Sequence, residues 1–136
     1  MSKQALFGCR ILILEDDYYQ AYDVTETLKH AGATIIGCQA RSLDLTELKA
    51  LGTFDVAMLD INLGGKQSFG FARLLQSHEI PCVFVTGYDA NVVPQDLSKV
   101  PVLTKPVDEA LVLAAIAALW KQAPTIGGGT KGELRQ

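Results

Sequence analysis

The chain has 136 residues, 49% of them apolar and 20% charged, with 12 Lys and Arg against 15 Asp and Glu for a formal charge of −3. At roughly 150 residues per domain this is one compact unit with a core of its own, too hydrophobic for a disordered chain and too short to hold a second catalytic or DNA-binding domain. No basic block is present to neutralise a row of phosphates, which argues against direct nucleic-acid binding, and the longest uncharged apolar run, 110–120, falls short of the ~20 residues that span a bilayer.

Short apolar runs alternate with longer segments of helical period, the pattern of a parallel sheet covered by helices on both faces. The first strand is read over 10–14, where uninterrupted Ile11-Leu12-Ile13-Leu14 marks burial on both faces. A helix follows from Asp17 to about 31, with Tyr18, Ala21, Tyr22, Thr25 and Leu28 as its inward stripe and Gly32 as its stop. Residues 33–38 form the second strand. Ser42 is read as the N-cap of a short helix carrying Leu43, Leu45, Leu48 and Leu51. The third strand covers 55–60, and a loop over 61–66 leads to a helix from about 68 to 77. The fourth strand is 82–86, opened by Pro81. Asn91 and Pro94 interrupt 87–100, so no long helix is expected there. Residues 101–104 give the fifth strand and 107–122 the last helix. Past it, the sequence with Gly127-Gly128-Gly129 is read as a flexible tail over 123–136, and 1–8 as an N-terminal extension. Cys9, Cys38 and Cys82 are odd in number and each lies in or beside an apolar run, so they are expected to be buried, reduced thiols in a cytoplasmic protein. The N-terminus lacks a signal-peptide core.

In an open α/β sheet, ligands bind outside the carboxyl ends of the strands, where the strand order reverses. Those ends carry Glu15-Asp16-Asp17 after the first strand, Asp60 at the third, Thr86 at the fourth and Lys105-Pro106 after the fifth. The second ends in unreactive Gln39-Ala40. In the order 2-1-3-4-5 the second strand is an edge and the other four flank one crevice, so acids, a hydroxyl and a lysine converge. Each residue has a plainer use by itself: Asp17 caps a helix, Thr86 before Gly87 suits a turn, and Lys105 suits a solvated surface. Their joint placement carries the signal.

Four stretches, Ile11 to Asp17, Asp55-Val56-Ala57-Met58-Leu59-Asp60-Ile61-Asn62-Leu63, Val83-Phe84-Val85-Thr86-Gly87-Tyr88 and Val102-Leu103-Thr104-Lys105-Pro106, resemble the receiver domain of bacterial two-component response regulators. The resemblance covers about residues 9 to 122. The Phe-x-Thr-Gly-Tyr wording further resembles a subgroup of stand-alone receivers with an atypical switch region. It implies a doubly wound, five-stranded, flavodoxin-like α/β fold and a phosphorelay role. Asp60 would take a phosphoryl group from a sensor histidine kinase or histidine phosphotransfer protein, catalysing nothing beyond its own phosphorylation and dephosphorylation. Lys105 would supply counter-charge and Thr86 a hydroxyl to the phosphoryl group. Mg²⁺ would be held by Asp16, Asp60 and the Asn62 carbonyl, with Glu15 acting through water. The Lys105-Pro106 bond would be cis, and output would pass to a downstream protein target.

Where the family often carries a Tyr or Phe three residues before the lysine, this chain has Val102. That leaves Thr86, with Tyr88 two residues on, as the switch, and points to an order change over 87–100. On the last helix Val112, Ile116 and Leu119 fill the inward stripe. Leu111, Ala114, Ala115 and Ala118 then face outward, which suggests cover by a partner or by a second copy in a homodimer. Three other functions fit parts of the pattern: a receiver cut from a hybrid histidine kinase, a phosphorylation-independent adaptor, and a haloacid-dehalogenase-like phosphatase. The last wants an acid where Asn62 stands and a cap for which there is no length.

Overall fold

The structure, a computed structural model, describes residues 5–87 and 92–122. The glycine-rich stretch 123–136, Tyr88 and residues 1–4 lie outside the described residues. In chain order the elements are β1 (Arg10–Leu14), α1 (Tyr18–His30), β2 (Thr34–Gln39), α2 (Leu45–Ala50), β3 (Val56–Asp60), β4 (Asn62–Leu63), β5 (Lys66–Gln67), α3 (Phe69–Ser77), β6 (Cys82–Thr86), a 3₁₀ turn at Gln95–Leu97, β7 (Val102–Thr104) and α4 (Glu109–Gln122). Five strands form one sheet in the order β2-β1-β3-β6-β7, every neighbouring pair parallel. Counted over the sheet strands alone, this is the expected 2-1-3-4-5 order. The order reverses between β1 and β3, which opens a crevice beyond their carboxyl ends.

Because side chains alternate across a strand, β1 and β3 feed two cores at once. Leu12, Leu14, Ala57 and Leu59 pack with Leu48 of α2 and Phe71 and Leu75 of α3. Ile11, Ile13, Val56 and Met58 pack on the opposite face with Leu28 of α1 and with Val112, Ile116 and Leu119 of α4. Leu6, ahead of β1, is fully buried in this second core, and its N–H donates to the Ala31 carbonyl at 2.8 Å.

Four local readings are corrected. The cap of α2 is Asp44, not Ser42: its carboxylate accepts from Glu47 N–H while the Glu47 side chain accepts from Asp44 N–H, a reciprocal pair that Ser42 lacks. Residues 61–67 are not a plain loop but include an antiparallel hairpin, Asn62 opposite Gln67 and Leu63 opposite Lys66. Cys38 is exposed, because β2 is an edge strand, while Cys9 and Cys82 are buried. The inward stripe of α1 is only partly right: Leu28 is buried and Ala21 and Thr25 are half-buried, but Tyr18 and Tyr22 are 75% and 57% exposed, as is neighbouring Tyr19 at 78%. On α4, Val112, Ile116 and Leu119 are buried, Ala115 is half-buried, and Leu111, Ala114 and Ala118 face outward.

Candidate functional site

Three strand ends and one loop build the crevice. Glu15 follows β1 directly, and its backbone N–H donates to Gln39 O at 2.9 Å, continuing the ladder one residue past the strand. Its side chain then turns back: Oε2 accepts from Asp17 N–H at 3.0 Å and Oε1 lies 3.2 Å from Lys105 Nζ. Asp17 is the N-cap of α1, accepting from Gln20 N–H at 3.0 Å. This separates the roles of the acidic run, since Asp17 serves its helix while Glu15 and Asp16 face the crevice.

Asp60 is the last residue of β3, and burial of all five residues of that strand fixes it in place. Its Oδ2 accepts from Lys105 Nζ at 2.9 Å. Lys105 is aimed by the end of β7: its backbone N–H donates to Thr86 O at 2.8 Å, and the Lys105–Pro106 bond is cis. Thr86, at the end of β6 and opposite Thr104, is buried. Glu15, Asp16 and Asp60 each offer a carboxylate oxygen within 4.8 Å of the others. Asn62 is exposed at the start of the hairpin. Thus Glu15, Asp16, Asp60, Thr86 and Lys105 share the carboxyl end of the sheet, with Asn62 two residues beyond Asp60.

One ammonium lies against the Glu15 and Asp60 carboxylates, and the crowding shows at Glu15 and at Lys105. Burial, then hydrogen bonding and charge from Asp60, push Glu15 from 4.5 to about 7, against the lowering effects of Asp17 N–H and Lys105. Burial works against the charge of Lys105, but the hydrogen bond and charge of Asp60, followed by those of Glu15, outweigh it and hold the ammonium above its ordinary range. An all-oxygen, acid-rich cluster of this kind suits a hard divalent cation, and Mg²⁺ fits because it needs only a few protein oxygens and keeps several waters.

Two contributors escape a reading of strand ends. Ser68 is fully buried; its hydroxyl donates to Asp60 O at 2.8 Å, and its N–H donates to Ile61 O at 2.8 Å. Gly64, at the hairpin tip, donates its N–H to Asp16 Oδ2 at 2.8 Å. The available signal was Gly64-Gly65 between Leu63 and Lys66, a dipeptide suited to the positive φ of a two-residue hairpin turn. A cavity of about 960 Å³ opens from the crevice itself, with Glu15, Asp60 and Lys105 in its lining, and runs between α1 and α4 past Gln20, Asp23 and Thr27 of α1. Thr27 Oγ1 donates to Glu109 Oε2 at 3.0 Å across the two helices.

An open parallel sheet with a polar crevice at its switch point defines a flavodoxin-like α/β domain. No protein-family model and no curated protein sequence matches the chain. Among solved structures, SdrG from Sphingomonas melonis Fr1 is 34% identical, with 82% of this chain and 95% of that chain covered and a TM-score of 0.70. The response regulator REC domain of PhyR from Erythrobacter litoralis is 24% identical over 89% of this chain and 98% of that one, with a TM-score of 0.73. A mutant of PhyR from Bartonella quintana, described as an anti-anti-sigma factor, is 21% identical over 83% of this chain but 49% of its own, with a TM-score of 0.69. The chain belongs to the response regulator receiver domains of two-component systems.

Proposed function

We propose that this receiver accepts a phosphoryl group on Asp60 from the phosphohistidine of a sensor kinase or histidine phosphotransfer protein and signals through altered protein binding. The observation that carries this reading is the Lys105 ammonium 2.9 Å from Asp60 Oδ2, in a crevice shared with Glu15 and Asp16. Asp60 is the nucleophile: its oxygen forms the new bond to phosphorus as the donor's N–P bond breaks. Lys105 then exchanges its carboxylate partner for the phosphoryl oxygens and remains as lasting counter-charge. Asp16, Asp60 and the Asn62 carbonyl would hold Mg²⁺, with Glu15 through water; when bound, the ion offsets the repulsion among the carboxylates and the incoming phosphoryl oxygens. Thr86 donates its hydroxyl to the phosphoryl group and draws the segment after Gly87 toward the crevice.

The signalling unit is taken as 9–122, with Leu6 of the preceding segment packed into its core and 123–136 as a tail. No helix among the described residues is long and apolar enough to cross a membrane, in keeping with a cytoplasmic partner of a kinase. The downstream target is a protein; one structural neighbour being an anti-anti-sigma factor makes a transcription-regulating protein the first class to try. The Phe84-Val85-Thr86-Gly87-Tyr88 wording supports reading the chain as a stand-alone receiver of that type.

Beryllofluoride, a phosphoryl mimic, tests the reading by amide NMR. With Mg²⁺ present, it should shift resonances at Asp60, Thr86 and Lys105 and along 87–100, and Asp60→Asn should show none of these changes. Shifts of the same size without Mg²⁺, or in Asp60→Asn, would refute it.

A further inference from the structure

The β4–β5 hairpin meets the crevice at both of its ends. At its base, Ser68 is fully buried and holds the carbonyls of two consecutive residues, Asp60 through its hydroxyl and Ile61 through its N–H, each at 2.8 Å. A serine preceding a helix ordinarily turns its oxygen toward that helix's own N–H groups. Ser68 stands at the N-cap of α3 and makes no such bond. Its hydroxyl is committed instead to the residue that carries the nucleophile. At its tip, the hairpin turns through Gly64 and Gly65, with φ of 58° and 85°, and this turn aims Gly64 N–H at Asp16 Oδ2, 2.8 Å away. Leu63, between tip and base, is buried in the core with Phe69 of α3, so the hairpin is anchored rather than free to swing.

From this placement we infer that the hairpin is a positioning clamp for the cation site: Ser68 fixes Asp60 from below, Gly64 fixes Asp16 from above, and Asn62 is presented from the strand between them. The inference rests on the proposed phosphoacceptor reading and assigns to Ser68 and Gly64 a role in that site which neither fills as a ligand. Hydrogen bonds that orient ligands from outside the coordination sphere typically govern metal affinity by 10–100-fold. A clamp with a donor at each end sets how far apart Asp16 and Asp60 stand before any ion arrives. That spacing decides how well a small ion with strict octahedral needs is held.

The test is a calorimetric Mg²⁺ titration of the full chain at fixed pH, alongside the melting temperature in EDTA. Ser68→Ala removes the hydroxyl at the base. Gly64→Pro removes the donor at the tip, and its fixed negative φ cannot fit the turn. A side chain built on the existing backbone at Gly64 meets nothing within 4 Å, so an asparagine there has room. Gly64→Asn keeps both the N–H and the left-handed backbone. Ser68→Ala and Gly64→Pro should each weaken Mg²⁺ about tenfold, with the larger part of the effect in affinity rather than melting temperature, and Gly64→Asn should retain wild-type affinity. Wild-type affinity in both Ser68→Ala and Gly64→Pro, or equal loss in Gly64→Asn and Gly64→Pro, overturns the clamp. If the wild-type chain itself binds no Mg²⁺, the phosphoacceptor reading falls, and the clamp with it.

Discussion

Replacing Glu15 with glutamine removes a crevice carboxylate whose proton affinity is raised to about 7. In the folded, metal-free protein Glu15 titrates at about 7, against 4.5 for its ordinary value, because it is buried beside Asp60. The folded state therefore holds a proton that the unfolded chain has already released. For an acid displaced upward, stability is fully present below 4.5 and is lost as pH rises from there through about 7. At about 1.4 kcal/mol per pH unit the full loss is at most about 3 kcal/mol, and water at the open mouth of the crevice reduces it to about 1–3 kcal/mol. Urea unfolding of wild type and Glu15→Gln at intervals between pH 5 and 8, in EDTA, reads this directly. Wild type should weaken across the interval while Glu15→Gln stays flatter and is the more stable protein at pH 8. Added Mg²⁺, which favours ionised carboxylates, should shrink the wild-type slope. Identical slopes in the two proteins, or a Glu15→Gln that is the less stable at pH 8, would refute the electrostatic account.

Asp16→Asn should weaken Mg²⁺ binding and phosphorylation together, whereas Asp17→Asn should leave both near wild type and cost about 1 kcal/mol or less in unfolding free energy, since it acts as a helix cap that asparagine also fills. Tyr22→Glu should slow phosphoryl transfer from a protein donor several-fold and leave labelling by acetyl phosphate unchanged, because Tyr22 is a large exposed side chain on α1, the helix that follows the acidic end of β1, and does not line the crevice; equal loss with both donors would contradict this. A thiol reagent near pH 8 should modify Cys38 rapidly in the native protein and Cys82 only on unfolding, because Cys38 is exposed while burial pushes the Cys82 thiol up to about 12; peptide mapping decides.

The sheet was legible because its central strands β1, β3 and β6 are short apolar runs buried on both faces, a signal that needs no knowledge of partners. Arg10–Leu14 and Cys82–Thr86 match their expected bounds for this reason. The polar residues at the carboxyl ends followed from the strand order alone. What the sequence did not show was decided by contacts that residue type and periodicity do not encode. Tyr18 and Tyr22 carry the periodicity of a buried stripe, yet both are exposed, and the side of α1 that lines the cavity carries Gln20, Asp23, Val24 and Thr27, a mixed set that gives no apolar period. Ser42 and Asp44 are equally good caps by residue type, and only the reciprocal bond with Glu47 separates them. The hairpin was missed because strands of two residues show no alternation. Ser68 gave no signal at all, since its importance lies in a hydroxyl that bonds eight residues back to Asp60.

The central claim is that Asp60 carries the signal, and intact-protein mass spectrometry after incubation with acetyl phosphate or a phosphorylated kinase tests it most directly. The wild-type chain should gain a single acid-stable, base-labile phosphoryl group that requires Mg²⁺ and is absent in Asp60→Asn. A chain that gains no phosphoryl group from either donor in the presence of Mg²⁺, or an Asp60→Asn protein that is labelled as well as wild type, would contradict it. The first of these results would mark the domain as an adaptor that works without phosphorylation.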